Sequence, residues 1–203
     1  MTDPDFSFFT IKNSVSDLLL REKGSKFIGF AFPVKSEEDV RRELSALREI
    51  HPKATHHCYA YRLGRLGENY RANDDGEPSG SAALPMYNQL LAHEVTNVLV
   101  VAVRYYGGTK LGVSGLIKMY KETAKETLEN AEIILQELES KLIVEFDYAQ
   151  QNVIFTLLGR YSAKIDDFST AERCTIQSTL KTAHKESIST ELAEMQNVYF
   201  TIE

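Results

Sequence analysis

Hydrophobic positions recur along the chain in two alternating rhythms. Residues 8–12 alternate apolar and polar side chains and predict a strand. Two apolar runs, 18–20 and 26–32, flank Arg21-Glu22-Lys23-Gly24-Ser25, the pattern of an antiparallel hairpin. The period then lengthens. Ser36-Glu37-Glu38-Asp39 offers a hydroxyl and acids to the positive end of a helix, and Val40, Leu44 and Leu47 follow at helical spacing until Pro52. Residues 55–63 return to a period of two. His56, Cys58, Ala60 and Arg62 fall on one face, and His57, Tyr59, Tyr61 and Leu63 on the other. Gly64 and Gly67 end this strand, and residues 69–72 can pair back against it. A loop rich in Asp, Gly, Pro and Ser (73–81) leads into a helix ending near His93, with Pro85 in its first turn.

Residues 97–103 are rich in β-branched side chains, the pattern of a central strand buried on both faces. Arg104-Tyr105-Tyr106 and the glycine-rich stretch 107–115 follow it. Ile117, Tyr120, Ala124, Leu128 and Ala131 then mark the apolar stripe of a long helix. The pattern starts afresh near Glu139: strand 142–146, helix 150–161, strands 163–167 and 173–180, helix 184–196, strand 198–202. That β-α-β-β-α-β order predicts a ferredoxin-like unit. The expected organisation is α+β, with one domain over 1–138 and a second over 139–203.

Composition is that of an ordinary globular protein: of 203 residues, 43% are hydrophobic and 26% charged. The net charge of −6 argues against non-specific coating of nucleic acid by the whole surface. The acidic excess lies mainly in the second domain. Cys58 and Cys174, far apart, fit a reducing compartment rather than a disulfide framework. The acidic start, Met1-Thr2-Asp3-Pro4-Asp5, does not resemble a signal peptide, and no apolar run is long enough to span a bilayer. A cytoplasmic location without membrane partners is expected.

Charge inverts locally between 104 and 125, where Arg104, Lys110, Lys118, Lys121 and Lys125 face one acid, Glu122. Ligands gather beyond the carboxyl ends of parallel strands, so the turn after the buried strand is the leading candidate site. Glycines there let amides approach an anion, and the helix start adds positive potential. The run matches neither phosphate-loop pattern, G-x-x-x-x-G-K-[ST] or G-x-G-x-x-G, and its glycines can equally serve helix packing. Asp74, Asp75 and Glu77 are a second cluster, suited to Mg²⁺ or proton transfer, or simply to turn formation. Ser79 and Ser81 are candidate helix caps. His56 and Cys58 share a face but lack the further ligands a zinc site needs. Tyr59, Tyr61, Tyr105 and Tyr106 can stack on bases or pack in the core.

Three ordered motifs carry a resemblance: Thr55-His56-His57-Cys58-Tyr59-Ala60-Tyr61-Arg62, then Asp75-Gly76-Glu77-Pro78-Ser79-Gly80-Ser81-Ala82, then residues 97–112 through Arg104-Tyr105-Tyr106-Gly107-Gly108-Thr109-Lys110-Leu111-Gly112. Over about residues 15–130 the chain resembles the IMPACT/YigZ family. The resemblance implies a two-layer α/β N-terminal domain like those of a ribosomal-protein domain, RNase PH and the GHMP kinases. It also implies a C-terminal domain similar to one in elongation factor G, and a role in translation or its stress control. Site positions implied by it are Asp75, Glu77, Arg104, Gly107, Gly108, Lys110 and Gly112. Ala83 and Ser114 stand where the family pattern has glycine.

The resulting expectation is a non-catalytic binding protein for RNA, the ribosome or another translation-associated, acidic or phosphate-bearing partner. Arg104, Gly107, Gly108, Thr109, Lys110 and Gly112 would form the phosphate site. Asp74, Asp75, Glu77, Ser79, His56 and Arg62 would form the cleft rim. No cofactor is required. The alternative is an enzyme acting on a phosphorylated small molecule, with Mg²⁺ on Asp74, Asp75 and Glu77; a pure protein adaptor is a third reading.

Overall fold

The computed structural model describes residues 6–203. They divide into two compact units, residues 8–136 and a unit combining residues 6–7 with 137–203. The first holds β1 (Ser7–Ile11, whose first residue falls in the other unit), β2 (Val15–Glu22), β3 (Ser25–Pro33), α1 (Glu37–Ile50), β4 (His56–Leu63), β5 (Asn69–Asn73), α2 (Ala83–Ala92), β6 (Val98–Tyr105), α3 (Gly112–Glu129) and β7 (Ile133–Glu137, whose last residue falls in the other unit). Its main sheet has the order β2-β3-β6-β4-β5, and β1 pairs separately with β7. Every pairing in the main sheet is antiparallel. The parallel-sheet rule invoked above therefore does not apply: a strand buried on both faces reads the same in either kind of sheet.

β6 sits at the centre and feeds two cores. Val98, Val100 and Ala102 face α2 and α3 with Cys58, Ala60, Met86, Leu90 and Tyr120. Leu99, Val101 and Val103 face the side of α1 with Val40, Leu47, Tyr59 and Tyr61. The two faces predicted for β4 are thus the two faces observed. Helix α1 starts in a capping box: Ser36 Oγ accepts from the Asp39 amide and Asp39 Oδ2 from the Ser36 amide. Hydrogen bonds from Lys35 and Arg42 hold the Asp39 carboxyl down to about 2.

Of the stripe read for α3, Tyr120, Ala124 and Leu128 are buried and Ala131 packs against the same core, but the buried face is wider than the stripe and leaves out Ile117. Leu116, Met119, Tyr120, Thr123, Ala124, Thr127 and Leu128 are the helix's buried residues, whereas Ile117 is 39% exposed. Thr123 and Thr127 are admitted to the core because each hydroxyl donates to the carbonyl one turn earlier. Polar residues that satisfy themselves locally are invisible to an apolar-spacing count.

The second unit contains β8 (Glu139–Phe146), α4 (Gln151–Arg160), β9 (Lys164–Thr170), β10 (Cys174–Lys181), α5 (Lys185–Ala193) and β11 (Tyr199–Ile202). Its sheet order, β11-β8-β10-β9, is antiparallel throughout and is that of a ferredoxin-like fold. Alternation along β8 sends Leu142, Val144 and Phe146 inward against Ile154, Leu157, Ile188 and Leu192. Among the described residues no helix is long and apolar enough to cross a membrane.

Candidate functional site

The site begins with a tight turn. Asn73 Oδ1 accepts from the Asp75 amide, and the Glu77 amide donates to the Asp74 carbonyl at 2.9 Å. Asp75 and Gly76 both have positive φ, 45° and 89°. An Asp-Gly pair tolerates this double left-handed turn better than most sequences. The turn separates three neighbouring carboxylates. Asp74 is spent on backbone amides: Oδ2 accepts from Gly80, and Oδ1 from Ala82 and Ala83, the start of α2. Asp75 Oδ2 accepts from the His57 amide, while Oδ1 binds Arg48 at 2.9 Å. Glu77 turns inward. Among the described residues no group of three or more His, Cys, Asp or Glu side chains is arranged to hold a metal ion.

Beneath the turn lies a buried polar cluster. Arg104 continues the inner face of β6 and is 5% exposed; Glu77 is 9% exposed. Arg104 Nη1 donates to Glu77 Oε1 at 2.5 Å, and the Tyr120 hydroxyl donates to the same oxygen at 2.7 Å. Arg104 Nη2 lies 3.4 Å from Ser25 Oγ. Its guanidinium is stacked near Phe27 and Tyr106, at 5.3 and 5.6 Å from their ring centres. His56 Nδ1 lies 2.8 Å from the Asp75 carbonyl, which can only accept, so Nδ1 carries the proton. His56 Nε2 is then 3.8 Å from Glu77 Oε1. Burial pushes the Tyr120 hydroxyl and the Cys58 thiol upward, so both stay protonated. Cys58 donates to the Asp74 carbonyl; it is a packing residue, not a nucleophile.

Above this cluster is an open pocket of about 450 Å³, lined by Glu77, Pro78, Arg104, Tyr106, Lys110, Leu111, Gly112, Val113 and Leu116. The corner after β6 is therefore not plugged. Helix α3 starts at its edge. Among the described residues no side chain caps that helix, and no acid occupies its first turn. Lys110 is exposed and, among the described residues, has no ion-pair partner.

Several predicted roles change. Arg104 is not a free cation, because Glu77 balances it. The Gly107 amide, expected to face an anion, donates to Ser25 Oγ at 3.1 Å. Gly108 and Gly112 have positive φ with open space around them. Thr109 is exposed, and no hydrogen bond of its side chain is seen. Arg62 leaves the rim: it lies at the other end of β4, with Nη1 on the Val95 carbonyl and Nη2 on that of Leu66. At 3.3 Å per residue it is roughly 20 Å from His56. Neither serine caps α2. Ser79 is exposed, and Ser81 donates to the Pro78 carbonyl; Asp74 does the capping. Of the four tyrosines, Tyr59 and Tyr61 are buried, Tyr105 bonds His51, and Tyr106 opens on the pocket. Neither Ser25 nor the Tyr120 hydroxyl belongs to a motif that marks the site in the sequence. A buried tyrosine in a helix stripe must find a partner for its hydroxyl, and that was the available signal for Tyr120.

An antiparallel sheet under two helices, with a ligand-sized pocket at the exit of its central strand and a ferredoxin-like second unit, defines a two-unit α+β protein. The Impact N-terminal domain family model matches residues 23–128, and the chain belongs to this family. It is 34% identical over 142 residues to IMPACT family member YvyE of Bacillus subtilis (strain 168), covering 70% of this chain and 65% of that protein. With IMPACT family member YigZ of Escherichia coli (strain K12) it shares 33% identity over 145 residues, 70% of this chain and 71% of the relative. A crystal structure of a hypothetical protein superposes with a TM-score of 0.71 at 27% identity, covering 96% of both chains.

Proposed function

We propose that this is a non-catalytic, cytoplasmic binding protein acting in translation or its stress control, and that it seats a phosphate-bearing partner, RNA in the first instance, at the start of α3. One observation carries the reading. The open pocket at the exit of β6 is bordered by Lys110, which has no ion-pair partner among the described residues, and by the uncapped start of an 18-residue helix. Such a helix start presents amides with nothing to bind and a partial positive charge, and Lys110 adds a full one. Arg104 and Glu77 neutralise each other and serve as a fixed floor. The translational setting follows from the family resemblance. The catalytic alternative has less behind it: Asp74 and Asp75 are occupied by amides and Arg48, and Cys58 is protonated.

The test is RNA affinity as a function of salt, for the intact protein and for Lys110→Ala. One lost phosphate contact should weaken binding to all sequences alike and lower the salt slope by about one unit. Unchanged affinity and slope in Lys110→Ala would falsify the phosphate role.

A further inference from the structure

The walls of the pocket exceed what an anion requires. Phosphate needs amides and cations, yet this cavity also has an aromatic ring, an aliphatic side and a carboxylate floor. Tyr106 is 46% exposed. Its ring is held near the Arg104 guanidinium, and its backbone amide is fixed by Thr55 Oγ1, so it is a positioned surface rather than a loose one. Leu111 and Val113 add apolar wall. On the floor, Arg104 and Tyr120 both donate to Oε1 of Glu77, and among the described residues no hydrogen bond reaches Oε2. A carboxylate oxygen only accepts, so a ligand that meets it must bring an N–H or O–H. Arg104 Nε is likewise buried without an acceptor.

The pocket therefore asks for three things at once: a flat face to stack, a donor edge to reach Glu77, and a negative group at the mouth. A nucleotide carries all three. The volume of about 450 Å³ lies in the usual range for small-ligand sites.

We propose that the pocket takes a single nucleotide, with its base stacked on Tyr106, an N–H of the base directed to Glu77, and its phosphate at Lys110 and the first amides of α3. The inference rests on the phosphate reading above and adds the base. The nucleotide can arrive free or as one unstacked residue of an RNA strand.

Calorimetric titration of the intact protein with GMP, AMP, CMP, UMP, ribose 5-phosphate and inorganic phosphate tests it. At least one nucleotide should bind about tenfold or more tightly than ribose 5-phosphate, the scale of one base–aromatic stack. Tyr106→Ala should erase that advantage while leaving the affinity for ribose 5-phosphate unchanged, and Tyr106→Phe should keep it. Tyr106 is half exposed, so neither variant threatens the fold. A short unstructured RNA that displaces the nucleotide identifies the strand as the source; RNA that does not displace it leaves the free nucleotide. Equal affinity for nucleotides and ribose 5-phosphate overturns the base site and leaves the phosphate site standing. Absence of binding by all six overturns both.

Discussion

Arg104 and Glu77 show how a charge can be placed in a core without being offered to solvent. Their side chains are 6% and 4% accessible, and each is the other's compensation. Removing one partner strands a buried charge, which typically costs about 3–5 kcal/mol. Arg104→Ala and Glu77→Ala should each lose stability on that scale in urea unfolding. The double variant should lose clearly less than the sum, because the stranded charge is gone. A strictly additive double variant would mean that the two charges are not coupled. His57 makes a second prediction. Its imidazole is pulled below its ordinary value first by burial and then by Arg48 and His51, with Asp75 opposing. The folded state therefore binds this proton less readily than the unfolded chain. Stability from His57 should be complete above about pH 6.5, the unfolded value, and be lost as pH falls through the folded value. Urea midpoints measured from pH 8 to 5 should fall more in the native protein than in His57→Gln; equal falls would contradict the assignment.

At the scale of elements, two short loops decide where the pocket lies. Asp74 closes the start of α2 by accepting from Gly80, Ala82 and Ala83. Asp74→Ala should cost about 1–2 kcal/mol, as lost caps do, with the amides of α2 exchanging faster. Gly107 is tied to the β2–β3 turn. A Cβ there would overlap the backbone of Gly24 and Ser25, whereas at Gly108 it would meet open space. Gly107→Ala should therefore destabilise by about 3 kcal/mol through forced backbone movement. Gly108→Ala should cost only the strain of its positive φ, about 1–2 kcal/mol. Comparable losses at both positions would argue against the close approach. These two loops also mark how far the sequence could be read. The hairpin, the capping box, the buried run of β6 and the two faces of β4 were legible, because each is a local period with a local stop signal. The short strand β7 and its pairing with β1 were not: five residues of mixed polarity set no rhythm. Nor did any local pattern reveal Ser25 as the partner of Gly107, since the two meet only once the sheet has formed.

For the molecule as a whole, each unit owns a complete core. Leu142, Val144, Phe146, Ile154, Leu157, Ile176, Ile188 and Leu192 are fully or almost fully buried within the C-terminal unit. The β-α-β-β-α-β order was legible because helical and strand periods alternate cleanly there. A fragment of residues 137–203 should accordingly fold alone, with dispersed amide resonances; a collapsed spectrum would show that its core needs the rest of the chain. In the N-terminal unit a pocket lies beside the glycine-rich stretch and the local charge inversion that the sequence singles out. The partition of roles within it was not legible. Arg104 reads as a ligand cation until Glu77, 27 residues away, is seen beside it. The proposed phosphate seat is therefore Lys110 and the open end of α3, not Arg104. Titration of the isotope-labelled protein with inorganic phosphate, followed by amide chemical shifts, tests this most directly. Gly112, Val113 and Ser114 should shift first, together and to saturation, and the response should weaken in Lys110→Ala. Shifts scattered over the surface lysines, with those three amides unmoved, would contradict the account.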